Sequence, residues 1–185
     1  MLAVGADLNS GSPGSQSGHV RVYQFANNAW TQLGADIDGE AACDGSGWSV
    51  SLSSNGTVLA VGADGNDGNG DNSGHVRVYK FASNKWTQLG VDIDGEAAAD
   101  LFGESVSLSS DGTVLAVGAN SNDGNGYNSG HVQVYKFTTT TPSTPQPTNK
   151  PTKASTNKPT TKTLTNKPTN KPTSKKPTIK PIKAN

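Results

Sequence analysis

The residues of this 185-residue chain best suited to chemistry are oxygen ligands crowded into one loop. Asp64, Asn66, Asp67 and Asp71 are spaced by glycines and could wrap calcium, which takes about six to eight oxygens. The spacing departs from the EF-hand, because Gly68 falls where a third ligand is needed. A related loop keeps Asn120, Asn122 and Asp123 but has Tyr127 in place of Asp71. A solvated, turn-rich loop is therefore the first expectation, with a calcium site as its alternative and no other cofactor. Two further acidic runs, Asp36-Ile37-Asp38-Gly39-Glu40 and Asp92-Ile93-Asp94-Gly95-Glu96, also invite a ligand reading. Yet carboxylates flanking one Ile are what an outer strand gives when the Ile faces inward and the acids face water. Asn55-Gly56-Thr57 is the one N-glycosylation sequon, which makes Asn55 a candidate acceptor in a tight turn.

His19, His75 and His131 recur at a fixed interval of 56 residues, each opening the same short motif. Three copies of one residue, a repeat apart, cannot converge on one metal; a turn-capping or strand-edge role is expected. An active site would break the repeat symmetry with a unique Ser/His/Asp set or carboxylate pair. None does, so no catalytic residue is assigned and no enzyme is expected.

That interval governs the whole folded part. His75-Val76-Arg77-Val78-Tyr79 returns as His131-Val132-Gln133-Val134-Tyr135, and His19-Val20-Arg21-Val22-Tyr23 precedes both. Leu-Ala-Val-Gly-Ala starts at Leu2, Leu59 and Leu115, and Trp-Thr-Gln-Leu-Gly at Trp30 and Trp86. Within a copy, Ser105 to Ser109 alternates polar and apolar as a half-buried strand does. Val114 to Ala119 is apolar or small at every position, the mark of a strand covered on both sides. Ser110-Asp111-Gly112 makes the turn between them. His131 to Phe137 forms a third strand, and Trp86 to Ile93 an outer fourth in the preceding copy. Four strands with both faces covered describe a propeller blade, so the expected class is all-β: a partial propeller of four-stranded antiparallel blades over residues 1–137. The first copy lacks its innermost strand and the third its outermost. About two and a half blades result, fewer than the four to eight that close a ring. Open ends of this kind call for partner blades, from a longer parent or by self-association.

Formal neutrality conceals two opposite halves. Residues 1–137 carry all 15 acids and five basic residues (Arg21, Arg77, Lys80, Lys85 and Lys136), leaving about −10. Residues 138–185 carry ten lysines and no acid, with Lys-Pro-Thr repeated from Lys150 onward. Proline, like charge and the scarcity of apolar groups imply a disordered, polyproline-II-rich tail: a linker, or an O-glycosylated stalk. Cys43 is alone and is expected to be a buried or half-buried filler. No segment reaches the length of a membrane span and no signal peptide is visible. Met1 stands where the later copies have Val58 and Val114, as in a chain begun inside a longer protein.

Phe102-Gly103-Glu104-Ser105-Val106, then Val117-Gly118-Ala119 and Gly130-His131-Val132-Gln133-Val134-Tyr135, resembles an FG-GAP repeat. Such repeats form the blades of the integrin α-subunit propeller and of many extracellular propellers. The resemblance covers residues 1–137 and implies adhesion or ligand binding, often with calcium in selected blades. Ser46 replaces the first Phe of the motif, and Asp64 and Asn120 stand where it often has Pro. The family's calcium loop, an Asp-x-Asp-x-Asp-Gly hairpin, is shortened here to Ser53-Ser54-Asn55-Gly56 and Ser109-Ser110-Asp111-Gly112. Too few oxygens remain for that site to be carried over.

The functional expectation is a non-enzymatic extracellular or cell-surface binding module, with a protein or glycan ligand and the tail as stalk or anchor. Two alternatives are tail-driven electrostatic attachment to an anionic wall polymer, mineral or membrane surface, and a fragment of a larger propeller enzyme. Neither a nucleic-acid partner nor a transmembrane segment is expected.

Overall fold

The computed structural model describes residues 1–11, 13–137 and 180–181, and these residues are all-β. The first sheet holds β1 (Leu2–Ala6), β2 (His19–Ala26), β3 (Ala29–Gln32) and β4 (Ile37–Asp38). The second holds β5 (Ser49–Leu52), β6 (Val58–Ala63), β7 (His75–Ala82), β8 (Lys85–Gln88) and β9 (Ile93–Asp94). The third holds β10 (Ser105–Leu108), β11 (Val114–Ala119), β12 (His131–Lys136) and β13 (Lys180–Pro181). Every pairing is antiparallel between chain neighbours, apart from β4 and β9, which return to β2 and β7. We call these sheets blades 1, 2 and 3.

Local chemistry sets the turns. Asn27 and Asn28 both take positive φ (51° and 57°), as do Ser83 and Asn84 (51° and 60°). Two consecutive left-handed residues match the right-handed strand twist, which closes β2–β3 and β7–β8 as two-residue hairpins. In the β5–β6 turn the Ser53 hydroxyl accepts from the Val58 amide at 3.0 Å, and the Gly56 amide donates to the Ser53 carbonyl at 2.8 Å.

The outer strand expected from Trp86 to Ile93 is two strands. Tyr79 pairs with Gln88 and Val76 with Ile93, so five steps along the outer chain match three along β7. The surplus is a bulge at Gly90 (φ 80°), while Leu89 still donates to the Val78 carbonyl at 2.7 Å. The bulge turns Asp92 back onto β7. Cys43 also departs from expectation: it is exposed, at φ 68° in a loop where its counterpart Ala99 has φ 64°.

Blade 2 is covered on both faces, and all six residues of β6 are buried. Leu59, Val61 and Trp86 pack with Val20, Val22 and Ile37 of blade 1. Val58, Ala60, Val76, Val78 and Ile93 pack with Phe102, Leu115, Val117, Tyr135 and Phe137 of blade 3. Alternation along each strand divides its residues between two neighbours, which is why no polar face shows in the sequence.

Glycine brings the blades together. Inside its own blade, the Gly103 amide donates to the Gly118 carbonyl at 3.0 Å and the Gly47 amide to the Gly62 carbonyl at 3.0 Å, which fixes the Gly that leads into each inner strand. A Cβ on Gly62 would fall well under 3.0 Å from the Gly103 carbonyl oxygen, and one on Gly5 equally close to that of Gly47. The Gly of the first two Val-Gly-Ala copies thus seats against the Gly that opens the next blade's inner strand. The Ser49 hydroxyl, donating to the Gly103 carbonyl at 2.6 Å, and the Ser51 hydroxyl, accepting from the Leu108 amide at 3.0 Å, complete the contact.

The tail expectation falls on residues outside those described, except Lys180–Pro181, which pair with Lys136 and Tyr135 at the edge of β12. No helix among the described residues is long and apolar enough to cross a membrane.

Candidate functional site

Both kinds of long connection lie at one end of the blades. Residues 64–74 join β6 to β7, and residues 95–104 carry the chain from blade 2 to blade 3. The loops zip together: Ala99, Leu101 and Phe102 donate to the carbonyls of Asp71, Asn72 and Ser73 at 2.8–3.2 Å. One repeat earlier, Cys43, Gly45 and Ser46 donate to Ser15, Gln16 and Ser17 at 2.9–3.1 Å. Short hairpins occupy the opposite end. The loop-rich rim carries most of the acidic side chains.

The candidate ligands are placed there, and two of the four have a side-chain oxygen committed to the backbone. The Asn66 side-chain oxygen accepts from the Gly68 amide at 2.9 Å, and Asp67 Oδ1 from the Asn72 amide at 2.8 Å. Asn66 is buried and its side-chain amide donates to Glu40 at 3.2 Å. Asp71 is exposed, and Asp64 is half-buried, which raises its carboxyl above the ordinary range. The third copy repeats the pattern: Asn122 accepts from Gly124 at 2.9 Å, Asp123 from Asn128 at 2.6 Å, and Asn122 donates to Asp100 at 2.9 Å. The oxygens of Asn66, Asp67, Asn122 and Asp123 cap turns. Adding millimolar calcium is therefore expected to leave the melting temperature nearly unchanged, whereas a bound ion at a hundredfold excess over Kd would add about 2.7 kcal/mol. A calcium-dependent rise in melting temperature, abolished in Asp67→Ala, would establish a site instead. Asn55 is exposed, with its side-chain Oδ1 accepting from Thr57 and Ser53 at 2.8–3.0 Å.

The network that sequence reasoning missed lies along the rim's outer edge. Arg77 donates to Asp92 through Nε and Nη2 at 2.9 and 2.8 Å, and also to Glu40 from the preceding inter-blade loop. Gln88 donates to the same Asp92 at 2.6 Å. Arg21, Asp36 and Gln32 reproduce this set in blade 1 at 2.7–3.0 Å. In blade 3 Gln133 replaces Arg and donates to Glu96 at 2.8 Å. The Arg-to-Asp separation of 15 residues, present twice, was the signal in the sequence. Asp38 and Asp94 face water as expected, while Asp36 and Asp92 hold arginines that keep both carboxyls below their usual range.

The histidines stay a blade apart, and the first two lie beside their own acids. His19 lies near Asp36 and Asp38, and His75 near Glu40 and Asp92. Asp36 and Asp92 are already committed to arginine, so an ion-pair network accounts for both clusters. His75 is buried with Nδ1 unpartnered, 3.7 Å from a Glu40 oxygen. Burial, and then the Arg77 charge, push its imidazole below the ordinary 6.5, against the opposing pull of Asp92, Glu40 and Asp44. The unfolded chain thus takes this proton at higher pH than the folded one, so stability falls as pH drops below about 6.5. The slope approaches about 1.4 kcal/mol per pH unit for one such group. Urea midpoints between pH 7.5 and 5 are expected to show it, and His75→Gln to flatten it.

Two exposed aromatics break the repeat symmetry on this rim. Trp48, 54% exposed, stands where blade 3 has Glu104, and Tyr127, 88% exposed, where the preceding loop has Asp71. Leu8 joins them at 67%.

Successive twisted antiparallel sheets, stacked face to face through glycine contacts with long loops at one rim, define a partial β-propeller. The model of the FG-GAP repeat family matches residues 35–79 and 91–135. The chain belongs to that family and carries about two and a half of its repeats. Each match begins beside the outer strand of one blade and ends in the third strand of the next, so the sequence unit straddles two sheets. No curated protein matches the chain.

Proposed function

We propose that this chain is a non-enzymatic binding module of an extracellular or cell-surface protein, contacting a protein or glycan ligand through its loop-rich rim. The observation that carries this reading is the exposure of Trp48 and Tyr127 among rim carboxylates. Large aromatics offer apolar area and a polar edge at low entropic cost, and they concentrate where surfaces bind. FG-GAP propellers commonly bind and adhere, which agrees with a symmetric scaffold whose departures from symmetry are surface side chains. Calcium serves some members, but the shortened β5–β6 and β10–β11 turns argue against it here. In this reading the tail is a stalk.

A panel of immobilised oligosaccharides and cell-surface protein extracts, probed with the full chain, tests the proposal. Binding that falls about tenfold or more in Trp48→Ala or Tyr127→Ala supports the rim. Binding indifferent to both changes sinks it. A second reading rests on the ten lysines without an acid beyond residue 138: electrostatic attachment to an anionic polymer, mineral or membrane. Such attachment would be lost on raising salt from 0.1 M to 1 M, as the Debye length shrinks from about 10 to about 3 Å. It would also vanish on deleting residues 138–185, whereas rim binding would survive both.

A further inference from the structure

Two sheet faces among the described residues lack a partner, and each is a copy of a face that has one. On the outward side of blade 1, Leu2, Val4, Phe25 and Trp30 are 45%, 44%, 53% and 55% exposed. Their counterparts in blade 2 are Leu59, Val61, Phe81 and Trp86, which pack against blade 1. The register is the same in both, since Leu2 pairs with Tyr23 as Leu59 does with Tyr79, and Phe25 with Trp30 as Phe81 does with Trp86. On the outward side of blade 3, Val132 and Val134 are 68% and 41% exposed. They repeat Val76 and Val78, which pack against blade 3 itself.

The chain therefore holds both halves of one interface, at opposite ends. From the repeat of these faces we propose that the blade 3 face of one copy docks on the blade 1 face of a second copy, continuing the stack of blades head to tail. The joint would reuse the contacts seen twice within the chain: Val132 and Val134 would meet Leu2 and Val4 as Val20 and Val22 meet Leu59 and Val61. Trp30 would sit over the joint as Trp86 does, where its indole now donates to the Leu33 carbonyl at 2.9 Å. The two faces differ, so the contact is heterologous: it closes a ring if the rotation allows and otherwise extends a filament. The proposal deepens the partner side of the binding-module reading but concerns sheet faces, not the rim. A monomer whose rim still binds, or an assembly whose rim does not, separates the two failures.

The test uses two surface variants of the full chain, Trp30→Asp and Val132→Asp, each altering one face at an exposed position. Sedimentation velocity of the unaltered chain is expected to show concentration-dependent association. Each variant alone is expected to be monomeric, with self-association weakened about tenfold or more. An equimolar mixture is expected to regain a one-to-one dimer and stop there, because each partner supplies the face the other lacks. Far-ultraviolet circular dichroism of each variant, matching the unaltered chain, shows that the fold is kept. The proposal is overturned if the unaltered chain is monomeric throughout, which would leave these faces to another occupant. It is also overturned if either variant still associates alone, as like-with-like pairing would require, or if the mixture stays monomeric.

Discussion

Gly62→Ala is expected to destabilise the chain by more than about 3 kcal/mol, while Gly118→Ala costs little, although both stand in the same Val-Gly-Ala repeat. A Cβ at Gly62 would run into the backbone carbonyl of Gly103, and backbone cannot step aside as a side chain can. The clash would pry blade 3 from blade 2, breaking the Ser49 contact to the Gly103 carbonyl and the Leu108-to-Ser51 hydrogen bond. At Gly118 the nearest obstacle is the Ser105 hydroxyl, the far end of a side chain that can rotate. Neither position has positive φ, so the contrast isolates blade-to-blade approach from conformational freedom. Urea unfolding of both variants measures it. Equal losses would mean that glycine serves the strand itself and not the joint.

The same contrast marks how far the sequence could be read. Strand class, hairpin turns and blade count followed from periodicity: Val114 to Ala119 is apolar throughout because alternate residues serve different neighbours. The interval of 56 put His19, His75 and His131 at matching strand starts, where the structure holds them. What escaped was set by cross-blade geometry, to which a linear pattern is blind. Glu40 reaches Arg77 across an inter-blade loop, 37 residues away. The bulge at Gly90, invisible as a break in an apolar run, is what brings Asp92 to the same arginine. Cys43 was expected inside because cysteine usually is; its left-handed backbone in a surface loop prevails. Trp48 and Tyr127 stood in the sequence as departures from the repeat, but their exposure had to be seen.

Phe102→Ala is expected to cost about 3–5 kcal/mol, the range for deleting a large aromatic from a core that cannot collapse around the void. Phe102 is fully buried, the largest such side chain among the described residues, and meets Tyr135 edge-on at 6.4 Å between ring centroids. It packs with Val76, Val78 and Ile93 of blade 2 and Leu115 of blade 3, so its loss empties the joint between two sheets. Its backbone is zipped to Ser73 by a 3.0 Å hydrogen bond, which limits how far the loop can sink inward. One repeat earlier the same place is taken by Ser46, equally zipped to Ser17 at 3.0 Å and buried, but with no ring. Ser46→Ala is therefore expected to change stability by less than about 1 kcal/mol, because backbone contacts hold that joint. Urea midpoints for the two variants, measured at a concentration where the chain is monomeric, decide the matter. A loss below about 1 kcal/mol for Phe102→Ala would mean that the joint between blades 2 and 3 rests on glycine contacts alone, and that the aromatic of the motif serves something other than packing.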